Sequence, residues 1–303
     1  MKFSIFAPGT IGNVSSGFDV LGLAVDGLGD TFHFEAADSY SIRVSGRDAA
    51  DIPLDKAQNA VTIASEAFYR LFGRRAQPFS VHIDRALPMS GGLGSSAASS
   101  VAGALAAARF AKAGPCSNLI LQAALEAEAL IAGPHLDNIA PCFYGGLTLV
   151  QDSEALAVYP IPIQLELWIV LITPPIKIKT KDAREVLPPT LTSAQWSKQM
   201  AHCTTLAVAL ARGDAQHLAF GLTDTYAEPA RASLIPGFHK AQELAKSAGA
   251  YGFSMSGSGP TCFALCPNKT IAESVGRAVL GVFGPKSSLH IVQPRLKGAE
   301  VFT

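Results

Sequence analysis

The amino-acid sequence predicts a two-domain α+β protein, and three observations support that reading. The chain has 303 residues, enough for one large domain or two ordinary ones around a substantial core. Strand-type and helix-type periodicities both occur, and helices follow strands irregularly, without a steady βαβ rhythm. A continuous apolar run at 165–172, closed by Thr173-Pro174-Pro175, reads as a central strand or as one that joins two units. The boundary is therefore placed near residue 160, dividing the chain into 1–160 and 161–303.

Each element follows from its local pattern. Phe32, Phe34, Ile42 and Val44 alternate across 31–46, and Phe79-Ser80-Val81-His82-Ile83 repeats the alternation before a turn, so both stretches are strand-like. Between them, 59–72 places Val61, Ile63, Ala64, Ala67, Phe68 and Leu71 at helical spacing, and Gly73 supplies a C-cap. Residues 95–112 and 117–131 are Ala- and Leu-rich helices, the second stopped by Gly133-Pro134. Past the boundary, 194–212, 214–227, 238–248 and 271–283 read as helices. Short β segments flank Gly257-Ser258-Gly259-Pro260 within 251–265, and a last strand covers 289–292. No repeat or low-complexity tail interrupts this order.

Composition narrows the partners. Lys plus Arg and Asp plus Glu are equal at 24 each, so no long-range field draws the chain to nucleic acid or to anionic lipid. Any anionic ligand must then be held by local chemistry. Residues 86–108 carry no charge and are long enough to span a bilayer, but their interior, Pro-Met-Ser-Gly-Gly-Leu-Gly-Ser-Ser-Ala-Ala-Ser-Ser, is too polar and glycine-rich for lipid. The N-terminal apolar run is short and broken by Pro8, which argues against a signal peptide and for a cytoplasmic protein. Five cysteines, an odd number without paired metal-type spacing, read as reduced thiols, with Cys262 and Cys266 packing on one strand face.

The uncharged window holds the strongest chemical signal. Pro88-Met89-Ser90-Gly91-Gly92-Leu93-Gly94-Ser95-Ser96-Ala97-Ala98 sets glycines and hydroxyls immediately before a helix of small residues. Unpaired N–H groups and the positive end of the helix dipole converge there, and glycine lets an anion approach the backbone. A Walker A loop is excluded because 86–108 contains no lysine. The string Gly92-x-Gly94-x-x-Ala97 matches a dinucleotide fingerprint, but a stretch that includes Pro88 separates it from the strand such a motif must abut. A plain turn before a tightly packed helix is the duller alternative.

Three segments in this order resemble the GHMP superfamily of small-molecule kinases: Ala7-Pro8-Gly9-Thr10-Ile11-Gly12-Asn13-Val14 leading to Gly17-Phe18-Asp19, then the loop above, then Met255-Ser256-Gly257-Ser258-Gly259-Pro260-Thr261. Within the superfamily the chain looks most like the homoserine kinase family. That closer likeness rests on Gly133-Pro134-His135-Leu136-Asp137-Asn138-Ile139-Ala140-Pro141, on Thr180-Lys181-Asp182-Ala183-Arg184, and on Glu228-Pro229-x-Arg231. The resemblance implies an ATP loop between strand and helix in the N-terminal domain and a ferredoxin-like α/β sandwich in the C-terminal one. It also implies a homodimer, and transfer of the ATP γ-phosphoryl to the side-chain hydroxyl of L-homoserine, a step toward threonine.

The resemblance further implies residue roles. Asp19 would take the substrate ammonium, Arg184 and Arg231 its carboxylate, and Asn13, His135 and Asn138 would position the ammonium or the hydroxyl. Arginine suits a carboxylate because its planar fork donates two parallel hydrogen bonds. Residues 88–98 would bind the phosphates and Asn59 would line the adenine pocket. Ser95 and Glu128 would hold Mg2+, with Glu126 the rival to Glu128. No base is assigned; Asn138 and Thr180 orient the hydroxyl, since loose phosphoryl transfer depends more on positioning and electrostatics than on deprotonation. The first segment departs from the usual Pro-Ala-Thr-Ser-Ala-Asn-x-Gly-Pro-Gly-Phe-Asp form at Gly9, Ile11, Gly12, Ser15 and Ser16, but keeps Asn13, Gly17, Phe18 and Asp19.

Other readings stay open. Acceptors such as mevalonate, a sugar or a polyol offer no ammonium for Asp19, and a silent GHMP-fold binding protein would not need an intact loop and Glu128. Taken singly, Arg184 and Arg231 could be surface ion-pair partners, His135 could be satisfied by a helix-end carbonyl, Asp19 could cap a helix starting near Val20, and Asn13 could support a turn.

Overall fold

The computed structural model describes all 303 residues. Its strands form two sheets. The first contains β1 (Lys2–Gly12), β2 (Leu21–Ala36), β3 (Ser41–Gly46), β4 (Phe79–Arg85), β5 (Leu147–Asp152), β6 (Ala157–Ile161) and the last strand of the chain, β11 (Glu300–Phe302). The long strand β2 organises it. Its residues 22–24 and 29–35 pair with β1, while 31–36 pair with β4 on the other edge and 21–23 pair with β5. The second sheet runs β10 (Ser288–Val292), β7 (Trp168–Thr173), β9 (Cys262–Cys266), β8 (Gly252–Met255), all antiparallel. That strand order, with helices after β7 and after β9, is the ferredoxin-like arrangement expected from the sequence. The apolar run at 165–172 becomes β7, an inner strand.

Helices α1 (Ala60–Phe72), α2 (Ser95–Phe110), α3 (Ser117–Ile131) and α4 (Leu136–Tyr144) belong to the first unit. The ends of α1 are set as its sequence suggests. The Asn59 side chain accepts from Val61 N, and Gly73 sits in the left-handed region where a Cβ would be strained. Helix α2 contains no residue larger than leucine before Arg109 and Phe110, so it packs close to its neighbours; a side chain at Gly103 would strike the backbone of Val61. Both Cys262 and Cys266 are buried on one face of β9 in the core of the second sheet. No helix is long and apolar enough to cross a membrane.

Four features differ from the pattern read in the sequence. The expected helix over 214–227 splits into α7 (Ala215–Gly221) and α8 (Ala227–Arg231). Gly221 is pressed against Leu206 of α6 (Ser193–Arg212), and its carbonyl accepts from Ser16 Oγ instead of continuing the ladder. Helix α4 forms despite Pro141 inside it. The ring removes the N–H that would meet the Asp137 carbonyl, and that carbonyl instead abuts Gly22, where any Cβ would collide with it. Segment 180–185, read only as a motif, is the short helix α5 (Thr180–Glu185). The first motif is itself the end of strand β1, with a register shift between Pro8 and Thr10. The remaining helices are α9 (Phe238–Ser247) and α10 (Lys269–Phe283), which cover the second sheet.

Candidate active site

The three motif segments, far apart in the chain, are bonded together by their backbones. Thr10 N donates to Leu93 O (3.1 Å), Thr261 N to Gly91 O (3.0 Å) and Gly257 N to Gly12 O (3.0 Å). Ser256 Oγ also donates to Gly92 O. The glycine loop is thus clamped between strand β1 on one side and the 255–261 turn on the other. Gly92 and Gly94 lie at φ +80° and +65°, and a Cβ would strike Ser256 O at the first and Thr10 Oγ1 at the second. Glycine is needed there for both conformation and space.

The loop ends at the N-terminus of α2. Gly94 is the N-cap residue and offers no side chain to the first amides, and no acidic residue occupies the first turn. These N–H groups face a cleft of about 990 Å³, whose walls include Pro88, Met89, Ser90, Gly91, Gly92, Gly94, Ser95, Ser96 and Ser99. An uncapped helix start with hydroxyls beside it is an anion site by electrostatics and hydrogen-bonding capacity together. The side chains of Leu93, Ala97 and Ala98, expected as part of the phosphate-binding run, point into the first core with at most 1% of their surface exposed, so these residues anchor the loop and can offer a ligand only their backbone.

Glu128 lines the same cleft, whereas Glu126 faces outward and pairs with Arg70 of α1. Ser95 and Glu128, both expected to hold the metal, have different partners here. Ser96 Oγ donates to Glu128 Oε1 (2.6 Å), while Ser95 Oγ accepts from Arg85 Nη2. Burial pushes the Glu128 carboxyl up to about 7, against the lowering effect of the Ser96 bond. Its Oε2 is buried and has no partner.

The pattern reading missed Arg85. It closes β4, its side chain is 2% exposed, and Nη1 lies 3.5 Å from Asp30 Oδ2. The one signal available was its place, a lone cation at the start of the uncharged window. Behind the glycine loop, then, stands a guanidinium paired with a buried carboxylate, a fixed dipole whose Nη2 reaches Ser95 at the start of α2.

The opposite end of the cleft is built from side chains. Asn13, Val14 and Ser15 follow β1 with φ of +66°, +43° and +67°, and Asp19 has φ +58°; no helix follows Asp19 for it to cap, because the chain enters β2 at Leu21. Such backbone persists only when over-determined. Here Asn13 N donates to Asp137 Oδ2 (3.0 Å), Asn13 Oδ1 accepts from Asp19 N (3.0 Å) and Asn13 Nδ2 donates to Gly257 O (3.1 Å). Asp137, not singled out in the sequence, is buried, and its carboxyl is raised to about 7 by burial and then by Asp19. Asn138 accepts from Thr10 Oγ1 (2.8 Å).

Arg184 of α5 donates through Nη2 to both carboxylate oxygens of Asp19, at 3.0 and 3.1 Å, and His135 Nδ1 stands 3.8 Å from Oδ1. His135 is the N-cap residue of α4, so it is not a helix-end histidine held by a carbonyl. Burial, and then the cations Arg184 and Arg231, hold it below its ordinary value against the pull of Asp19, which favours a neutral ring. Arg231 is buried rather than superficial, with Nε donating to Ala183 O (2.8 Å) and Nη1 to Gly257 O (3.1 Å). The Nη1–Nη2 edge keeps free donors. Both guanidinium groups flank the Phe18 ring, at 5.3 and 5.4 Å from its centre. Thr180 reaches the same wall, 3.5 Å from Ser258 Oγ. Asn59 lines the cleft too, but its amide is engaged with Val61 N and Pro53 O, so it shapes the 53–59 turn.

Comparison with known proteins agrees with this geometry. Residues 59–146 match the N-terminal domain of GHMP kinases and 206–284 match their C-terminal domain. The chain is 36% identical over 280 residues, 92% of each chain, to the homoserine kinase of Pyrococcus abyssi. To that of Haloarcula marismortui it is 33% identical over 302 residues, 99% of each. The crystal structure of homoserine kinase from Cytophaga hutchinsonii superposes with a TM-score of 0.92 at 35% identity, covering 99% of this chain and 97% of that one. Mevalonate kinase from L. major shares the fold, with a TM-score of 0.71 at 17% identity over 95% of both chains. The chain belongs to the GHMP kinases, ATP-dependent enzymes that phosphorylate an alcohol. Within that class it is a member of the homoserine kinase family.

Proposed function

We propose that the protein transfers the γ-phosphoryl group of ATP to the side-chain hydroxyl of L-homoserine, giving O-phospho-L-homoserine on the way to threonine. One observation supports this reading above the others. A single cleft joins an uncapped helix start behind a glycine loop to a carboxylate and two guanidinium groups spaced around one phenylalanine ring. The first half suits a triphosphate and the second a zwitterionic amino acid. Mevalonate, sugars and polyols would leave Asp19 without an ammonium.

In this reading, residues 1–160 form the ATP-binding domain and the chain from 161 onward the C-terminal domain, except that its last strand, β11, returns to the first sheet beside β1. Loop 88–96 and the α2 amides hold the phosphates, with Arg85 behind them. The exposed Leu130 and Ile131, together with Ile52 and Pro53, give the purine an apolar seat. Asp19 and Arg184 neutralise each other in this structure; the ammonium and carboxylate of the acceptor divide that pair, the first going to Asp19 and the second to Arg184 and the Nη1–Nη2 edge of Arg231. A single opposite charge could not do this without stranding its neighbour.

The orphaned Glu128 Oε2 on the cleft wall fits Mg2+, a hard cation usually held by one or two carboxylates together with substrate phosphates. Glu128 and the Ser96 hydroxyl would hold it, with Ser95 kept on Arg85. When bound, the ion would neutralise charge on the β- and γ-phosphates during transfer. Asn138, fixed by Thr10, and Thr180, beside Ser258, orient the acceptor hydroxyl toward the phosphate end. The proton is lost late in a loose transition state, which requires alignment more than a strong base.

An ADP-release assay with homoserine, mevalonate, galactose and shikimate tests the proposal. Homoserine should give turnover well above the acceptor-free blank and the others should not. Turnover with another alcohol and none with homoserine would overturn the substrate; no turnover and no ATP binding would favour a silent binding protein.

A further inference from the structure

We propose that Gln199, which does not line the cleft, is a positioning residue that sets the span between the two poles of the amino-acid site; the inference rests on the function proposed above. Gln199 lies on α6 at 7% exposure, and its amide uses its whole hydrogen-bonding capacity. Nε2 donates to Ser16 O (2.8 Å) and to Asp224 Oδ1 (2.9 Å), while Oε1 accepts from Thr225 N and Thr225 Oγ1, both at 2.8 Å. One side of this junction is the 13–19 loop that carries Asn13, Phe18 and Asp19. The other is the turn that leads into α8 and Arg231.

Asp224 makes the second side rigid. Its carboxylate is 7% exposed and has no cation partner; besides Gln199 it accepts from Tyr226 N (2.8 Å), Ala227 N (3.2 Å) and Glu228 N (2.8 Å). Helix α8 has five residues, too few to persist alone, so these bonds to its first turn define where it starts and hence where Arg231 ends it. Ser16 adds a parallel strut through its Oγ to Gly221 O (2.6 Å). On the cleft side the same two pieces meet again, with Phe18 edge-on to Tyr226 at 5.0 Å. The loop and the helix are therefore tied at the ring and tied again at Gln199. An α-amino acid holds its ammonium and carboxylate at a fixed separation, so a cradle free to widen loses both affinity and alignment.

Kinetics of Gln199→Leu, which keeps the bulk and removes every bond, test this. The KM for homoserine should rise about tenfold with a smaller fall in kcat, while the KM for ATP stays within about twofold, because a displaced remote support misplaces only the group it carries. Thr225→Val, which deletes one of the four bonds, should shift the homoserine KM by about two- to threefold in the same direction, with Tm lowered by at most a few degrees. If Gln199→Leu does not fold, Thr225→Val decides the matter. Equal weakening of homoserine and ATP, or no change in either, overturns the positioning role. Wild-type enzyme that turns over no homoserine overturns the functional reading itself, a separate outcome.

Discussion

On the proposed function, the two ends of the cleft solve opposite recognition problems with opposite materials. The phosphate end is backbone: three glycines, an uncapped helix and a loop stapled from both sides by main-chain bonds. The acceptor end is side chain: Asp19, His135, Arg184 and Arg231 come from four separate segments, His135 and Arg184 meeting Asp19 and the two guanidinium groups flanking Phe18. A polyanion can be met by many weak, fixed dipoles. A small zwitterion needs two full charges at a set distance, and those must be delivered by a precisely braced scaffold, in part through Gln199.

This contrast can be broken first where it is most brittle. Gly92→Ala should lower turnover by about a hundredfold or more, because the new Cβ meets backbone from the 255–261 turn and the loop cannot stay where its amides face the phosphates. Nucleotide titration should register the same loss. Next is the acceptor end, where Arg231→Lys should raise the homoserine KM by about tenfold, the worth of one charge-assisted bond, and leave the ATP KM unchanged. Equal weakening of both substrates would refute the division of labour.

Arg184→Gln sharpens the comparison further because its effect should change sign with the acceptor. Homoserine should bind more weakly, whereas 3-aminopropan-1-ol, which has the ammonium and hydroxyl but no carboxylate, should bind better than to wild type, since Asp19 is released from its 3.0 Å partner. Steady-state KM values for both acceptors would show the crossing.

Smaller still is an effect of pH on stability. Burial raises Glu228, which braces α8 by accepting from Ser254 and Gln242, from 4.5 to about 7. Between those values the folded chain holds a proton that the unfolded chain has lost, so stability is greatest at the acid end and declines as pH rises toward 7. Each unit is worth about 1.4 kcal/mol, and Tm measured from pH 5 to 8 should fall less in Glu228→Gln than in wild type. Smallest is Glu126→Gln. Its partner Arg70 is largely exposed, so the loss should be under about 1 kcal/mol, with kinetics untouched, whereas Glu128→Gln, two residues on, should abolish most turnover.

Legibility in the sequence followed the same divide. The glycine loop and the uncapped helix start behind it could be read because glycine, serine and an absence of charge leave a local mark, and α1 because Asn59 and Gly73 cap it in ways that need no distant partner. The acceptor residues could be named only through family likeness, since nothing local to Asp19 or Arg231 reveals that they meet. Arg85, Asp137 and Gln199 went unread for that reason. The choice of Ser96 over Ser95 as the neighbour of Glu128 turns on which way a helix face is rotated, and α4 on a carbonyl that finds room against Gly22 in another strand. The break at Gly221 likewise depends on Ser16, far away in the chain.

The pairing of β11 with β1 at Ser4 and Phe302 gives the molecule a circuit rather than a string of two beads. The path leaves the first sheet at Ile161 and is back in it at Glu300, so the ferredoxin-like unit is an insert held by an outgoing and a returning strand. The two tethers are not all that joins the insert to the first sheet: Leu167, Ile169 and Leu171, at and around β7, share one core with that sheet, so opening the cleft would also have to part that core. Residues 4–6 and 300–302 lie on adjacent strands, so linking Met1 to Thr303 and opening the chain in an exposed loop elsewhere should leave the fold intact.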